Sequence, residues 1–156
     1  MRFTHIYEDA DNRACLDRYF ASLDDAATSM PPGLSAFARD KARYAAQGER
    51  TLHDAWLLGA IVGKGYGDAH VVASSTFELR LLQARHASEV VLRYAGVTRL
   101  NMRLHPDFWP DTPIDLLAHE VTVCGTQSFR HAFRFDRGVY IDVRFREFAV
   151  EDVART

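Results

Sequence analysis

The side chains with the best claim to chemistry are His53 and Asp54, an imidazole and a carboxylate side by side in a chain of 156 residues. Such a pair can ligate a metal ion that activates water for hydrolysis, provided that further His or Asp ligands converge from elsewhere in the fold. The other histidines stand singly at 5, 70, 86, 105, 119 and 131. His119-Glu120 is not an HExxH unit, because position 123 is valine. The cysteines, Cys15 and Cys124, form no CxxC pair, so close-paired zinc ligation is not indicated. Cys124 and His119 lie five apart on one expected strand, hence on opposite faces, which rules out a nucleophile–base dyad there. Gly59 to Gly67 departs from a phosphate-binding loop in spacing, and Gly65 stands where that loop needs a hydroxyl. No GxSxG occurs. Neither catalytic residues nor a cofactor are assigned.

The second set of candidates is cationic. Lys41 and Lys64 are the only lysines, so nearly all positive charge is arginine. Arg93, Arg99, Arg103, Arg130, Arg134 and Arg144 fall at strand positions that alternate away from apolar neighbours. In the expected pairing Arg130 faces Arg144, and like charges opposite each other destabilise a sheet unless something neutralises them. Guanidinium groups bind carboxylates in a forked, two-bond geometry. These residues mark either a solvated outer face with cross-strand ion pairs, worth little each, or a docking face for an acidic partner, with Asp17, Asp24 and Asp25 as candidates within the chain. Trp109, in the proline-bounded stretch 105–113, either folds back as a lid on the core or, if exposed, is the candidate aromatic anchor.

The elements that must position these residues come in two kinds. Leu16, Tyr19, Phe20, Leu23 and Ala27 recur at helical spacing, and Met30-Pro31-Pro32-Gly33 ends that helix. A second helix is expected from Leu34 to Tyr44–Ala45, capped near Gly48. From about residue 51 the period becomes two. Leu52 to Val62 is apolar on both faces and reads as a central strand. Gly63 to Asp68 reads as a loop, and residues 69–82 as strand. Strands are expected at 89–94 and 98–105, forming a hairpin about Gly96 that sets Leu92 against Leu100, Val90 against Met102 and Glu89 near Arg103. Further strands follow at 118–124, 128–135 and 139–148. Asp136-Arg137-Gly138 reads as a three-residue hairpin loop. It sets Phe133 against Ile141, His131 against Val143 and Phe129 against Phe145.

The fold class that follows is α+β: two N-terminal helices packed on a mainly antiparallel sheet of about six to eight strands. One domain is expected over 1–156, helical over about 9–48 and β-rich over about 51–150. The core should include Leu16, Phe20, Leu23, Phe37, Trp56, Leu58, Leu92, Leu100, Met102, Val121, Val123, Phe133, Ile141, Val143 and Phe145. A hydrophobic fraction of 47% and a net charge of −2 exclude a disordered chain and a chain-wide polyanion binder. Nucleic acid is not an expected partner. No apolar run reaches the ~20 residues of a membrane helix and no signal peptide is seen, so a cytoplasmic protein is expected.

Thr51-Leu52-His53-Asp54-Ala55-Trp56-Leu57, followed by antiparallel strands, resembles small bacterial domains of unknown function. It is similar to the His-Asp-Ala start of some immunity proteins of polymorphic toxin systems. The resemblance implies a non-enzymatic protein that binds and blocks a toxin, and it gives His53, Asp54 and Ala55 no established role. The leading expectation is thus a binding protein with no catalytic step, its partner an acidic protein or, through an unpaired edge strand, a second copy. The alternative is a small metal-dependent hydrolase centred on His53 and Asp54.

Overall fold

A computed structural model describes residues 2–8, 14–104 and 112–156. Trp109 and His105, with most of the loop expected at 105–113, lie outside the described residues. The class is α+β, with α1 over Asp17–Ala26 and α2 over Pro32–Ala38. Two four-stranded antiparallel sheets take the place of the single sheet of six to eight strands that was expected. The strands are β1 (Tyr7–Glu8), β2 (Ala14–Cys15), β3 (Trp56–Tyr66), β4 (Val72–Leu82), β5 (Ser88–Ala95), β6 (Arg99–Arg103), β7 (Leu116–Gly125), β8 (Ser128–Phe135), β9 (Tyr140–Phe145) and β10 (Glu147–Ala154). The first sheet has the order β10-β5-β4-β3 and the second β6-β9-β8-β7, while β1 and β2 form a separate ribbon.

The split arises at Gly96. The expected hairpin does not form: Leu92 pairs with Leu79 and Val150, and Leu100 pairs with Val143. Glu89 lies against Leu82 and Val153, far from the register that would bring it to Arg103. Strands β5 and β6 are two arms of one run bent at Gly96, and β9 and β10 are its partner run bent at Arg146. Arg146 N–H donates to Ala95 O (3.1 Å) and Thr98 N–H to Arg144 O (2.9 Å), carrying the pairing through the corner. Gly96 sits at φ +60°, and a Cβ there would stand 3.0 Å from the Arg146 side chain, so both backbone and space require glycine. The expected strand 139–148 accordingly breaks at 146 and changes sheets. A second junction joins Trp56 to Asp115, with Leu57 N–H on Ile114 O (3.2 Å) and Leu116 N–H on Ala55 O (2.8 Å).

Strand β3 is at an edge, not at the centre. Ile61, Val62 and Tyr66 are 54%, 59% and 65% exposed, and Leu58, expected in the core, is also exposed. The strand runs on through Gly63 and Gly65, where a loop was expected. Thr76 and Ser74 place their hydroxyls where Cβ atoms of those glycines would stand, so the glycines serve close approach across the pair. Helix α2 is shorter than expected. It ends at Ala38, and Lys41–Arg43 form a 3₁₀ turn whose Ala42 N–H is capped by Asp40.

The terminal hairpin follows its pattern. Phe129, His131 and Phe133 pair with Phe145, Val143 and Ile141, and Phe135 N–H donates to Val139 O (2.9 Å). Gly138 has the positive φ (+72°) that its place demands. One hydrophobic cluster joins Leu23 of α1 and Leu34 and Phe37 of α2 to Leu79, Leu92, Val121, Phe133, Ile141 and Phe145. Leu16, Phe20, Leu100, Met102 and Val123, expected in the core, are half-buried at its margin, and Trp56, also expected there, is half-buried against His86.

Candidate functional site

The second sheet has two faces of opposite chemistry, set by the two-residue period. Its outward face carries a row running directly across the strands: Arg99 of β6 is paired with Arg144 of β9, which is paired with Arg130 of β8. Neighbouring strands lie ~4.8 Å apart, so three guanidinium stems start from one line of Cα atoms. Arg130 is neutralised: Asp142 takes its Nε–H (3.0 Å) and an Nη2–H (2.8 Å). Its other Nη2 contact is the main-chain carbonyl of Arg2 (3.1 Å). Arg99 and Arg144 are exposed and, among the described residues, pair with no carboxylate. With Arg2 these arginines line a cleft of about 630 Å³, whose acidic wall residues are Asp25 and Asp142.

The floor of this region is fixed by a residue that sequence reasoning missed. Glu120 is fully buried on β7 and accepts three consecutive main-chain N–H groups, from Thr4 (2.7 Å), His5 (2.7 Å) and Ile6 (2.8 Å). A buried carboxylate is tolerable when its lone pairs are filled in this way. The clamp holds the N-terminal segment, and with it Arg2, beside the arginine row. Nothing in the local pattern marks Glu120 apart from other outward residues of β7; the donors come from a segment more than a hundred residues away.

The remaining arginine candidates do not join the cleft. Arg103 is exposed on the same face of β6, opposite Tyr140. Arg93 belongs to the other sheet and lies between Glu78 (3.0 Å) and Glu151 (2.7 Å). The helix acids do not neutralise the row either: Asp24 pairs with Arg39 (3.0 Å), and Asp25 lines the cleft without an ion pair among the described residues.

His53 and Asp54 form the turn before β3, with Asp54 at φ +60°. His53 Nδ1 is 3.0 Å from Asp54 Oδ1, though off the line of a hydrogen bond. Asp115 is nearby. Its burial, then the charges of Asp136 and Asp54, raise its carboxyl above the usual range against a hydrogen bond from Trp56. Among the described residues no three His, Cys, Asp or Glu side chains come together in a way that could hold a metal. The pair therefore finds no described third ligand.

On the inward face lies a buried chain of polar rings. Tyr94 Oη is 2.8 Å from His131 Nδ1, and His131 Nε2 is 3.1 Å from His119 Nδ1. His131 is thus a core histidine with both nitrogens engaged. Burial pushes the His119 imidazolium down to about 3 and holds His131 well below the ordinary range, so both rings are neutral at pH 7. Beside them Tyr19 Oη accepts Val121 N–H (2.8 Å) and shares a hydrogen bond with Tyr44 Oη (2.9 Å). The ring of Tyr44 stacks on His119 at 4.2 Å.

No family model, curated protein or solved structure matches this chain. Among the described residues no helix is long and apolar enough to cross a membrane.

Proposed function

We propose that the protein is a non-enzymatic binding protein that receives an acidic partner protein in the arginine-lined cleft. The observation that carries this reading is the pair Arg99 and Arg144: cross-strand neighbours of like charge, exposed and without a carboxylate among the described residues. A sheet face selected for stability alone would place acids opposite bases, because like charges there cost free energy. Four arginines against two aspartates around one cleft give a positive field that attracts carboxylates. The resemblance of residues 51–57 to immunity proteins supplies a partner class, a toxin held by its acidic surface.

The test is co-expression with the product of the neighbouring gene. That product should arrest growth alone and be tolerated with this chain, and Arg99→Glu with Arg144→Glu should abolish protection while the fold is retained. Protection that survives both reversals, or a harmless neighbour, would remove the reading. A second reading, self-association through β3, is favoured by the exposed Ile61, Val62 and Tyr66 on an edge strand. It requires a molar mass that rises with concentration in size-exclusion light scattering and falls on Ile61→Lys.

A further inference from the structure

Among the described residues, four buried side-chain nitrogens lack a hydrogen-bond partner: Arg43 Nε, His53 Nδ1, His119 Nε2 and Arg134 Nε. All four residues line one cavity of about 640 Å³, away from the arginine-lined cleft. Buried polar atoms in folded proteins are nearly always paired with protein, water or ligand. Four exceptions at one cavity therefore point to an occupant.

The hydrogen-bond chain behind His119 fixes what that occupant must offer. Burial keeps the Tyr94 hydroxyl protonated, and among the described residues its proton has no acceptor but His131 Nδ1, so donation from Tyr94 leaves the fewest buried groups unpaired. His131 then carries its proton on Nε2 and donates to His119 Nδ1. A neutral His119 must carry its own proton on Nε2, the atom without a partner. The main-chain carbonyl of Arg43 lies near this ring but makes no properly aligned bond to it. Arg43 spends Nη1 and Nη2 on Asp152 (3.0 and 2.8 Å), and its Nε stands 3.6 Å from Asp40, beyond hydrogen-bond reach. His119 and Arg43 are 2% and 3% exposed. Each of these buried residues therefore brings an N–H without a protein partner to the lining of the cavity. The wall beside them is apolar, with Leu16, Tyr44, Leu116 and Leu117.

We propose that this cavity binds a small organic acid, its carboxylate accepting from His119 Nε2–H and Arg43 Nε–H and its apolar body lying along Leu16, Leu116 and Leu117. A carboxylate brings lone pairs and no donor, which matches a wall of donors; an amide would set its own N–H groups against them. Asp152 and Asp40 already balance the charge of Arg43, and Glu8 that of Arg134, so a monoanion suits the cavity better than a phosphate dianion. The volume falls within the range of small-molecule pockets, roughly 300–1,000 Å³. This site stands apart from the arginine row and does not depend on it.

Calorimetric titration of the full chain with sodium octanoate tests it, with octylamine and octyl phosphate as comparison ligands. Octanoate should bind, octylamine should not, and octyl phosphate should bind more weakly. His119→Phe should weaken octanoate about tenfold or more, since it deletes a charge-assisted hydrogen bond, whereas His119→Gln, which keeps an N–H, should weaken it less. Leu117→Trp fills the cavity without touching the ring chain and should abolish binding, which decides the matter if His119→Phe does not fold. Arg99→Glu should leave octanoate affinity unchanged, so failure here and failure of the cleft are separable. No octanoate binding, binding indifferent to Leu117→Trp, or tighter binding of octyl phosphate would each overturn the proposal.

Discussion

The outward faces of the two sheets use the same residue types to different ends. On the first sheet Arg93 lies between Glu78 and Glu151, Arg80 reaches Glu89 (3.1 Å), and Arg155 approaches the same glutamate (3.6 Å). On the second, Asp142 is spent on Arg130, and Arg99 and Arg144 have no carboxylate among the described residues. Exposed ion pairs add little stability, with a median of about 0–1 kcal/mol. The difference therefore teaches less about stability than about use. The first face pairs its arginines with its own glutamates, while the second keeps positive charge that a partner can take up.

The largest expected effect comes from the clamp that shapes the charged cleft. Glu120→Ala should lower the unfolding free energy by about 3–5 kcal/mol, because three buried N–H groups lose their acceptor and Arg130 loses a nearby carboxylate (4.0 Å). Urea denaturation measures this, and a loss under 1 kcal/mol would mean that the N-terminal segment does not depend on the clamp.

Next comes acid lability, which belongs to the inward face. The folded-state pKa values of His119 and His131 are depressed, so the unfolded chain binds more protons than the native one once pH falls below the ordinary value of 6.5. Stability should be flat above that value and fall below it by about 1.4 kcal/mol per pH unit for each ring, continuing toward pH 3 for His119. A double substitution of His119 and His131 by Gln should flatten the histidine part of this slope. An unchanged slope would mean that the rings are not buried neutral.

Period two fixed the second sheet's hairpin because a one-residue slip would have turned Phe129, Phe133 and Phe145 to water. The same period sets Arg130 against Arg144. The corner at Gly96 was not legible. A glycine between two apolar runs fits a tight hairpin and a sheet-switching bend equally well, and the choice depends on Arg146, some fifty residues on. The edge position of β3 was hidden for a related reason. Leu58, Ile61 and Val62 read as buried, yet local sequence does not say whether a neighbouring strand exists to cover them. Of the candidate residues, Arg99, Arg130 and Arg144 converge, Arg93 and Arg103 stand apart, and Trp109 lies outside the described residues. The organic-acid cavity had no local signal, since its nitrogens come from the turn after α2, the turn before β3 and strands β7 and β8.

A smaller effect sharpens the comparison of the two faces. Arg93→Glu sets a third carboxylate between Glu78 and Glu151 and should lower the thermal midpoint. A midpoint that does not fall would show that the first sheet's pairs are not formed in solution.

The most direct measurement is the urea unfolding midpoint of Arg144→Glu. The substitution sets a carboxylate between Arg99 and Arg130, and the midpoint should hold or rise, by about 0.5 kcal/mol in free energy at most, because a repulsion is replaced by an attraction. A midpoint lowered as far as that of Arg93→Glu would mean that Arg144 is already spent on the fold, and the charged row would not be free to receive a partner.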